Sequence, residues 1–201
     1  TQPKLENLEI INRLVYDEKK DAPFQRYKIT DNGVSPFVIA GMKNLCYTTT
    51  GLEHDEYGKP NQTPLYHQRM SAKRHKKLEF IAKEKGFTRR FGDEHARIGI
   101  ISWGSTEGAI EEAIHLASRY GYEIQALQLK MLHPLPDDEI REFISYVKTI
   151  IVPELNFTGQ LAQLLQSKYL IPIVRLNKVQ GLPFTPDEIL NKIEEVYKGE
   201  G

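Results

Sequence analysis

From Ile98 onward the chain alternates short apolar runs with segments whose apolar residues recur every three or four positions. Ile98-Gly99-Ile100-Ile101 is a β-branched run of the kind that forms a strand buried on both faces. Gly104 breaks it, and Ser105 is placed to cap a following helix by accepting a backbone N–H. That helix carries Ile110, Ala113, Ile114 and Ala117 on one face and Glu111, Glu112, His115 and Arg119 on the other. Gly121 closes it as a glycine in the left-handed region. The unit then repeats. Ile124, Ala126, Leu127 and Leu129 predict a second strand, and Pro136 opens a helix with Ile140, Phe143, Ile144 and Val147 inward. Ile150-Ile151-Val152 predicts a third strand, followed by a helix capped by Asn156 or Thr158 with Leu161, Leu164 and Leu165 on one face. Ile171, Ile173 and Val174 predict a fourth strand, which Pro172 assigns to an edge or a strand start. Thr185-Pro186-Asp187-Glu188 is a capping box that opens a last helix with Ile189, Leu190, Ile193 and Val196 inward. Strands spaced about 25 residues apart with helices between them imply right-handed crossovers. The expectation for residues 93–201 is an α/β domain, a three-layer α/β/α sandwich around a mostly parallel sheet.

Residues 1–92 lack that rhythm. Leu8, Ile10, Ile11, Leu14 and Val15 make one apolar cluster, short enough to be a docking segment. Turn signals follow at Asp21-Ala22-Pro23, Asp31-Asn32-Gly33 and Ser35-Pro36. Tyr47-Thr48-Thr49-Thr50 has strand propensity, and Glu53-His54-Asp55-Glu56, between Gly51 and Gly58, reads as a polar loop. So long an irregular stretch is expected of a linker or extended arm that wraps another domain or subunit. Thr63 as N-cap and Pro64 at the first helical position open a helix over about 63–85, ending at Gly86.

Net charge is zero, which argues against a globally basic nucleic-acid protein. The helix is the exception. Between Arg69 and Arg90 stand nine Lys/Arg, including Lys73, Arg74, Lys76 and Lys77, against two acids, a local excess of +7. It fits a solvated face, a contact with an acidic partner subunit, or phosphate or nucleic-acid binding. Cys46 is the single cysteine, so a disulfide framework is excluded and a reducing, cytoplasmic setting is expected. No apolar run reaches membrane-spanning length, and Thr1-Gln2-Pro3-Lys4 is not a signal peptide. A chain opening on Thr1 suggests a processed protein or an excised piece.

Candidate chemistry is sparse. Gly104-Ser105-Thr106-Glu107-Gly108 is out of frame for a Gly-x-Ser-x-Gly nucleophile elbow and lacks a P-loop lysine. Ser105 and Thr106 form either a plain capped turn or an anion site on helix amides. Gly159 and Gln160, at the carboxyl end of a strand, allow the same two readings. Glu53, His54, Asp55 and Glu56 are the densest group of ionisable side chains. They suit a divalent cation, a substrate-side loop reaching a neighbouring active site, or a hydrogen-bonded turn. His67, His75, His95, His115 and His133 show no ligand spacing. An iron–sulfur cluster takes four cysteines, and no Gly-Asp-Gly with a downstream Asn is present to anchor a magnesium diphosphate. No residue is assigned as catalytic, and no metal or cofactor is assigned to this chain.

Several stretches together resemble one family. These are Arg26 to Pro36, Thr50 to Gly58, His67-Gln68-Arg69-Met70 with Lys73-Arg74-His75-Lys76-Lys77, Ile101 to Gly108, and Pro153 to Leu161. In this order they are similar to the C-terminal third of the alpha subunit of 2-oxoacid:ferredoxin oxidoreductases, most nearly the 2-oxoglutarate type. The resemblance implies a transketolase C-terminal-like domain from about residue 93, preceded by the segment that joins it to a thiamine pyrimidine-binding domain. It also implies a holoenzyme that oxidatively decarboxylates a 2-oxoacid with coenzyme A, using thiamine diphosphate, magnesium and iron–sulfur clusters, and reduces ferredoxin. The family's Tyr-Pro-Ile-Thr-Pro motif is missing, so this chain is expected to be inactive alone. Its expected partners are the remainder of the alpha subunit and a beta subunit, with ferredoxin indirectly, in a homo- or hetero-oligomer, without nucleic acid or membrane. The alternatives are a stand-alone nucleotide- or coenzyme A-binding module and a structural interaction module.

Overall fold

A computed structural model describes residues 11–199, which form two compact units with the division after Ile81. The C-terminal unit is built on five strands: β1 Thr88–Gly92, β2 Ile98–Trp103, β3 Ile124–Leu129, β4 Thr149–Glu154 and β5 Val174–Asn177. Their order across the sheet is β1-β3-β2-β4-β5. β2, β3, β4 and β5 run parallel and β1 is antiparallel to β3. The helices are α3 Glu107–Arg119, α4 Asp137–Tyr146, α5 Gln160–Tyr169 and α6 Pro186–Gly199.

Strand period 2 sends alternate side chains to opposite faces, and two cores result. Ile98, Ile100, Ile124, Ala126 and Ile151 meet Ile110, Ala113 and Ala117 of α3 and Ile189 and Ile193 of α6. Ile101, Leu127, Leu129, Ile150 and Val152 meet Ile140 and Phe143 of α4 and Leu161, Ala162 and Leu165 of α5. The unit is therefore the expected three-layer α/β/α sandwich with a mostly parallel sheet.

Both ends signalled by Gly121 and Thr185 form as their residues dictate. Gly121 adopts φ +79°, and its N–H and that of Tyr122 donate to the carbonyls of Ser118 and Ala117, closing α3 in a Schellman motif. The Thr185 amide donates to the Glu188 carboxylate at 2.8 Å and the Glu188 amide returns to the Thr185 hydroxyl at 3.3 Å.

Four local expectations give way. Ser105 caps no helix: the chain leaves β2 through a 3₁₀ turn, Gly104–Thr106, so Thr106 takes the junction and its hydroxyl donates to the Trp103 carbonyl. Leu164 is exposed while Ala162 is buried, because the inward face of α5 centres between positions 161, 162 and 165 and leaves 164 on its edge. The fourth strand starts at Val174, and Ile171 and Ile173 precede it as packing residues. The sheet itself begins with β1, ahead of Asp93. Arg89 there pairs with Glu107 and Glu111, and Arg90 donates to Gln125, so two cations of the basic run serve the sheet.

The N-terminal unit holds the four-residue helix α1, Glu18–Asp21, and the long helix α2, Pro64–Ala82. Little else in it is regular. Tyr47-Thr48-Thr49-Thr50 forms no ladder, and among the described residues strand pairing is confined to isolated bridges such as Val15 with Phe37. Tyr16, Val38 and Met70 are its buried apolar side chains among the described residues. Of the N-terminal apolar cluster, Leu8 and Ile10 lie outside the described residues, and Ile11, Leu14 and Val15 are exposed. α2 ends at Ala82, short of Gly86, and its first turn is prepared by Asn61, whose side-chain oxygen takes both the amide and hydroxyl of Thr63.

Glu154 is the buried charge on which α5 depends. It is 1% exposed, and its two carboxylate oxygens accept the amides of Leu161 at 2.8 Å and Ala162 at 3.1 Å. Asn156 Oδ1 takes Gly159 N–H at 2.6 Å and Asn156 Nδ2 donates back to Glu154 at 3.0 Å. The cap expected of Asn156 is thus shared with a glutamate on the preceding strand. Glu154→Ala is expected to cost about 2–3 kcal/mol in urea unfolding, since two buried amides lose a charged acceptor, and Glu154→Gln, which retains one acceptor, less.

Candidate functional site

Two places gather the candidate residues, one in each unit. In the N-terminal unit the acidic loop and the basic helix meet. Arg74 of α2 grips Glu53 in a two-pronged pair, Nη1 to Oε1 at 3.2 Å and Nη2 to Oε2 at 2.8 Å, and His67 Nδ1 lies 2.7 Å from Oε2. The Arg74 hydrogen bond, with help from His67 and the His54 amide, lowers the Glu53 pKa to about 2. Fork-to-fork geometry makes such pairs stronger than a point contact.

The other three loop residues go separate ways. His54 Nδ1 lies 2.8 Å from the Asp55 carbonyl, and its ring packs on Tyr27 with centroids 3.9 Å apart. Asp55 Oδ1 accepts the amides of Tyr57 and Lys59, both at 2.9 Å, tightening the turn. Glu56 takes the Ile29 amide at 3.4 Å through its side chain, and its carbonyl takes the Tyr27 amide at 2.9 Å. Four neighbouring side chains thus face four different partners, which is the geometry of a braced loop. Among the described residues no three His, Cys, Asp or Glu side chains gather to hold a metal.

The basic helix divides in the same way. Arg74 is engaged with Glu53. Arg69 and Lys76 are exposed, Lys77 is half-buried, and Lys73 is 8% exposed. Burial, reinforced by Lys77, Arg26 and Arg74, drops the Lys73 pKa to about 8. The sequence gives no sign of this, because helical periodicity places Lys73 among cations rather than on an apolar stripe.

In the C-terminal unit the two turns proposed for anions come together. β2 pairs with β3 along all six residues but with β4 only over Ile98 to Ile100. The chain moves from β2 outward to β3 and then back across to β4, so the sheet changes direction between β2 and β4. Open α/β sheets place their crevice outside the carboxyl ends of strands at such a point. Here a cleft of about 300 Å³ is lined by Trp103, Gly104, Ser105 and Thr106 on one side and Leu155, Asn156 and Gln160 on the other. Gly159 lies just behind, at φ +67°, with its amide turned onto Asn156. Trp103 and Phe157, 41% and 83% exposed, stand at this edge, and periodicity alone marks neither. A wider hollow of about 550 Å³, bordered by Asp93, Glu111, His115 and Tyr122, opens at the other end of the sheet, beside the start of β3.

The Glu53 clasp has a pH signature. A carboxylate depressed in the folded state contributes stability that is present above its ordinary value near 4.5 and is lost as pH falls toward about 2. In urea unfolding of the chain, Glu53→Gln is expected to cost about 1 kcal/mol near neutrality and nothing below pH 2. Parallel curves for both proteins across that window would show that the clasp carries no stability.

Comparison with known proteins agrees with this architecture. Residues 96–189 match the family described as pyruvate:ferredoxin oxidoreductase core domain II. Over 183 residues, 88% of this chain, it is 31% identical to 2-oxoacid:ferredoxin oxidoreductase 2, subunit alpha, of Aeropyrum pernix. Over 184 residues, 90% of this chain, it is 33% identical to 2-oxoglutarate oxidoreductase subunit KorA of Mycobacterium tuberculosis. It spans 28% of the length of each of these relatives. A solved 2-oxoglutarate:ferredoxin oxidoreductase from Magnetococcus marinus, with 2-oxoglutarate, coenzyme A and succinyl-CoA bound, superposes on 96% of this chain. There the TM-score is 0.87 and the identity 36%, over 34% of that chain. The chain belongs to the 2-oxoacid:ferredoxin oxidoreductase alpha-subunit family, as a portion of such a subunit that contains core domain II.

Proposed function

We propose that this chain acts as the C-terminal portion of the alpha subunit of a 2-oxoglutarate-type 2-oxoacid:ferredoxin oxidoreductase. In that role it lends assembly surface and a positioned loop to coenzyme A-dependent oxidative decarboxylation, while other domains carry the reacting groups. The observation that carries this reading is the match to the Magnetococcus marinus enzyme over 96% of the chain at a TM-score of 0.87, which includes the irregular N-terminal unit as well as the sheet.

The residues support a non-catalytic share. A holoenzyme of this kind would draw on thiamine diphosphate, magnesium, an iron–sulfur cluster and coenzyme A. An iron–sulfur cluster does not fit this chain's donor set, since Cys46 is its one thiol and a cluster takes four. Ser105 has no base or acid beside it with which to act as a nucleophile: the cleft's other side chains are Trp103, Thr106, Leu155, Asn156 and Gln160. No step of the reaction is therefore assigned to this chain's own groups. Its parts are the exposed cations Arg69 and Lys76, offered to an acidic surface of the remaining alpha subunit or a beta subunit, and the loop Glu53 to Glu56. In that loop Glu53 is the anchor, while His54 on the Tyr27 ring and Asp55 under the Tyr57 and Lys59 amides hold the shape that the loop offers to the substrate side.

The reading is tested by co-expressing the chain with the rest of its alpha subunit and its beta subunit. The isolated chain is expected to show no 2-oxoglutarate-dependent reduction of ferredoxin, and the assembled enzyme to show it. His54→Ala, and Asp55→Asn, which keeps the acceptor for the Tyr57 and Lys59 amides, are expected to lower kcat/KM about tenfold or more without lowering the melting temperature. Full activity in both variants would remove the loop from the substrate side, and failure of the chain to assemble would overturn the proposal as a whole.

A further inference from the structure

A second feature of the N-terminal unit is not explained by assembly or by the loop. Arg26 is packed among three rings, its guanidinium carbon 5.1 Å from the Tyr27 centroid, 5.2 Å from Phe37 and 5.5 Å from Tyr47. Its Nε is buried and has no hydrogen-bond partner among the described residues. The guanidinium of Arg13 lies 5.1 Å from the same Phe37 ring. These two arginines, with Lys73 and Lys77 of α2, border a cavity of about 310 Å³.

Four cations around one hollow call for an explanation, because like charges repel and a buried one is costly without a partner. Aromatic faces offset part of this for the arginines but not for Lys73, whose side chain has no hydrogen bond or ion pair among the described residues. Among the described residues Glu56 is the acid within electrostatic reach of Lys73, and its influence is smaller than that of Lys77, Arg26 or Arg74. Nor is the grouping loose. Gly33, at φ +72°, presses its turn onto α2 so closely that a Cβ there would stand 2.6 Å from the Lys73 carbonyl and 2.9 Å from the Lys77 side chain. The turn and the helix are thus held together at the two lysines.

From this cavity, its orphaned Arg26 nitrogen and its buried lysine we infer a binding site for a small molecule bearing a phosphate or diphosphate group. Among the described residues, four cations against Glu56 leave an excess of about three charges. A phosphate dianion or a diphosphate matches that excess, whereas a single carboxylate leaves most of it. Arginine supplies planar donors and the lysines point charges, the pairing that phosphate oxygens accept. The Tyr27 and Phe37 rings give the apolar part of such a ligand a wall. The site shares no side chain with the Ser105 cleft or the Glu53 clasp.

The test is titration of the full chain with sodium diphosphate and with inorganic phosphate at fixed ionic strength, read by calorimetry and by melting temperature. Saturable diphosphate binding tighter than about millimolar and a raised melting temperature are expected. Lys77→Gln and Arg26→Gln are each expected to weaken binding at least tenfold, while Arg69→Gln and Lys76→Gln on the exposed part of α2 leave it unchanged. Lys73→Met, which removes the buried charge, is expected to raise the melting temperature without ligand and to abolish the further rise with diphosphate. Equal losses in the exposed-residue controls would mean diffuse attraction to a basic helix and would overturn the site. So would the absence of saturable binding, or a Lys73→Met protein that melts no higher and still responds to diphosphate.

Discussion

β2 is the strand from which the C-terminal unit is built. It is hydrogen-bonded along both edges, to β3 and β4, and covered on both faces by helices. Such a strand has no solvent side, so Ile98, Ile100 and Ile101 must all be apolar even though they point in opposite directions. The same position decides where the surface opens. β3 follows β2 for its whole length, β4 leaves it after Ile100, and the gap this creates is the cleft between Ser105 and Gln160. The buried Glu154 belongs to that arrangement. It stands at the end of β4 as the strand departs, and fixes the start of α5 on the far bank of the opening.

The N-terminal unit runs on charge where the C-terminal unit runs on apolar burial. Its few buried apolar residues are supplemented by cations set against aromatic faces and by the Glu53 carboxylate held by Arg74 and His67. These two uses of positive charge differ in kind. Arg74 has a matched anion and steadies a loop. Arg26 and Lys73 have none close enough to bond among the described residues, which is what the proposed phosphate site rests on. The even overall charge of the sequence conceals both.

The sheet was legible because its strands are buried on both faces and its helices on one, so each prints a clear period. The Gly121 and Thr185 signals were legible for a related reason: capping is decided by residues within one turn. What escaped has no local period. β1 carries one apolar residue, Phe91, between arginines and a glycine, and is a strand only because the free edge of β3 lies beside it. The Glu53–Arg74 pair spans 21 residues, and the loop and helix could be read separately but not joined. The Ser105 and Gln160 turns were each visible, yet their meeting across one cleft depends on strand order. Arg26 and Lys73 were the least accessible, since a cation among rings and a lysine at 8% exposure are written nowhere but in the tertiary structure.

β1 also acts as a seal. A parallel sheet whose outer strand ends in open solvent presents a row of free amides and carbonyls onto which a foreign strand can zip, and β1 occupies that row on β3 from Thr88 to Gly92. Its arginines then rivet it in place, one to α3 and one to the Gln125 side chain. Trimming this unit at Asp93 would strip the seal and bare the flank of β3, giving a sticky fragment. A cut between the two units, before Ala82, would leave the flank closed.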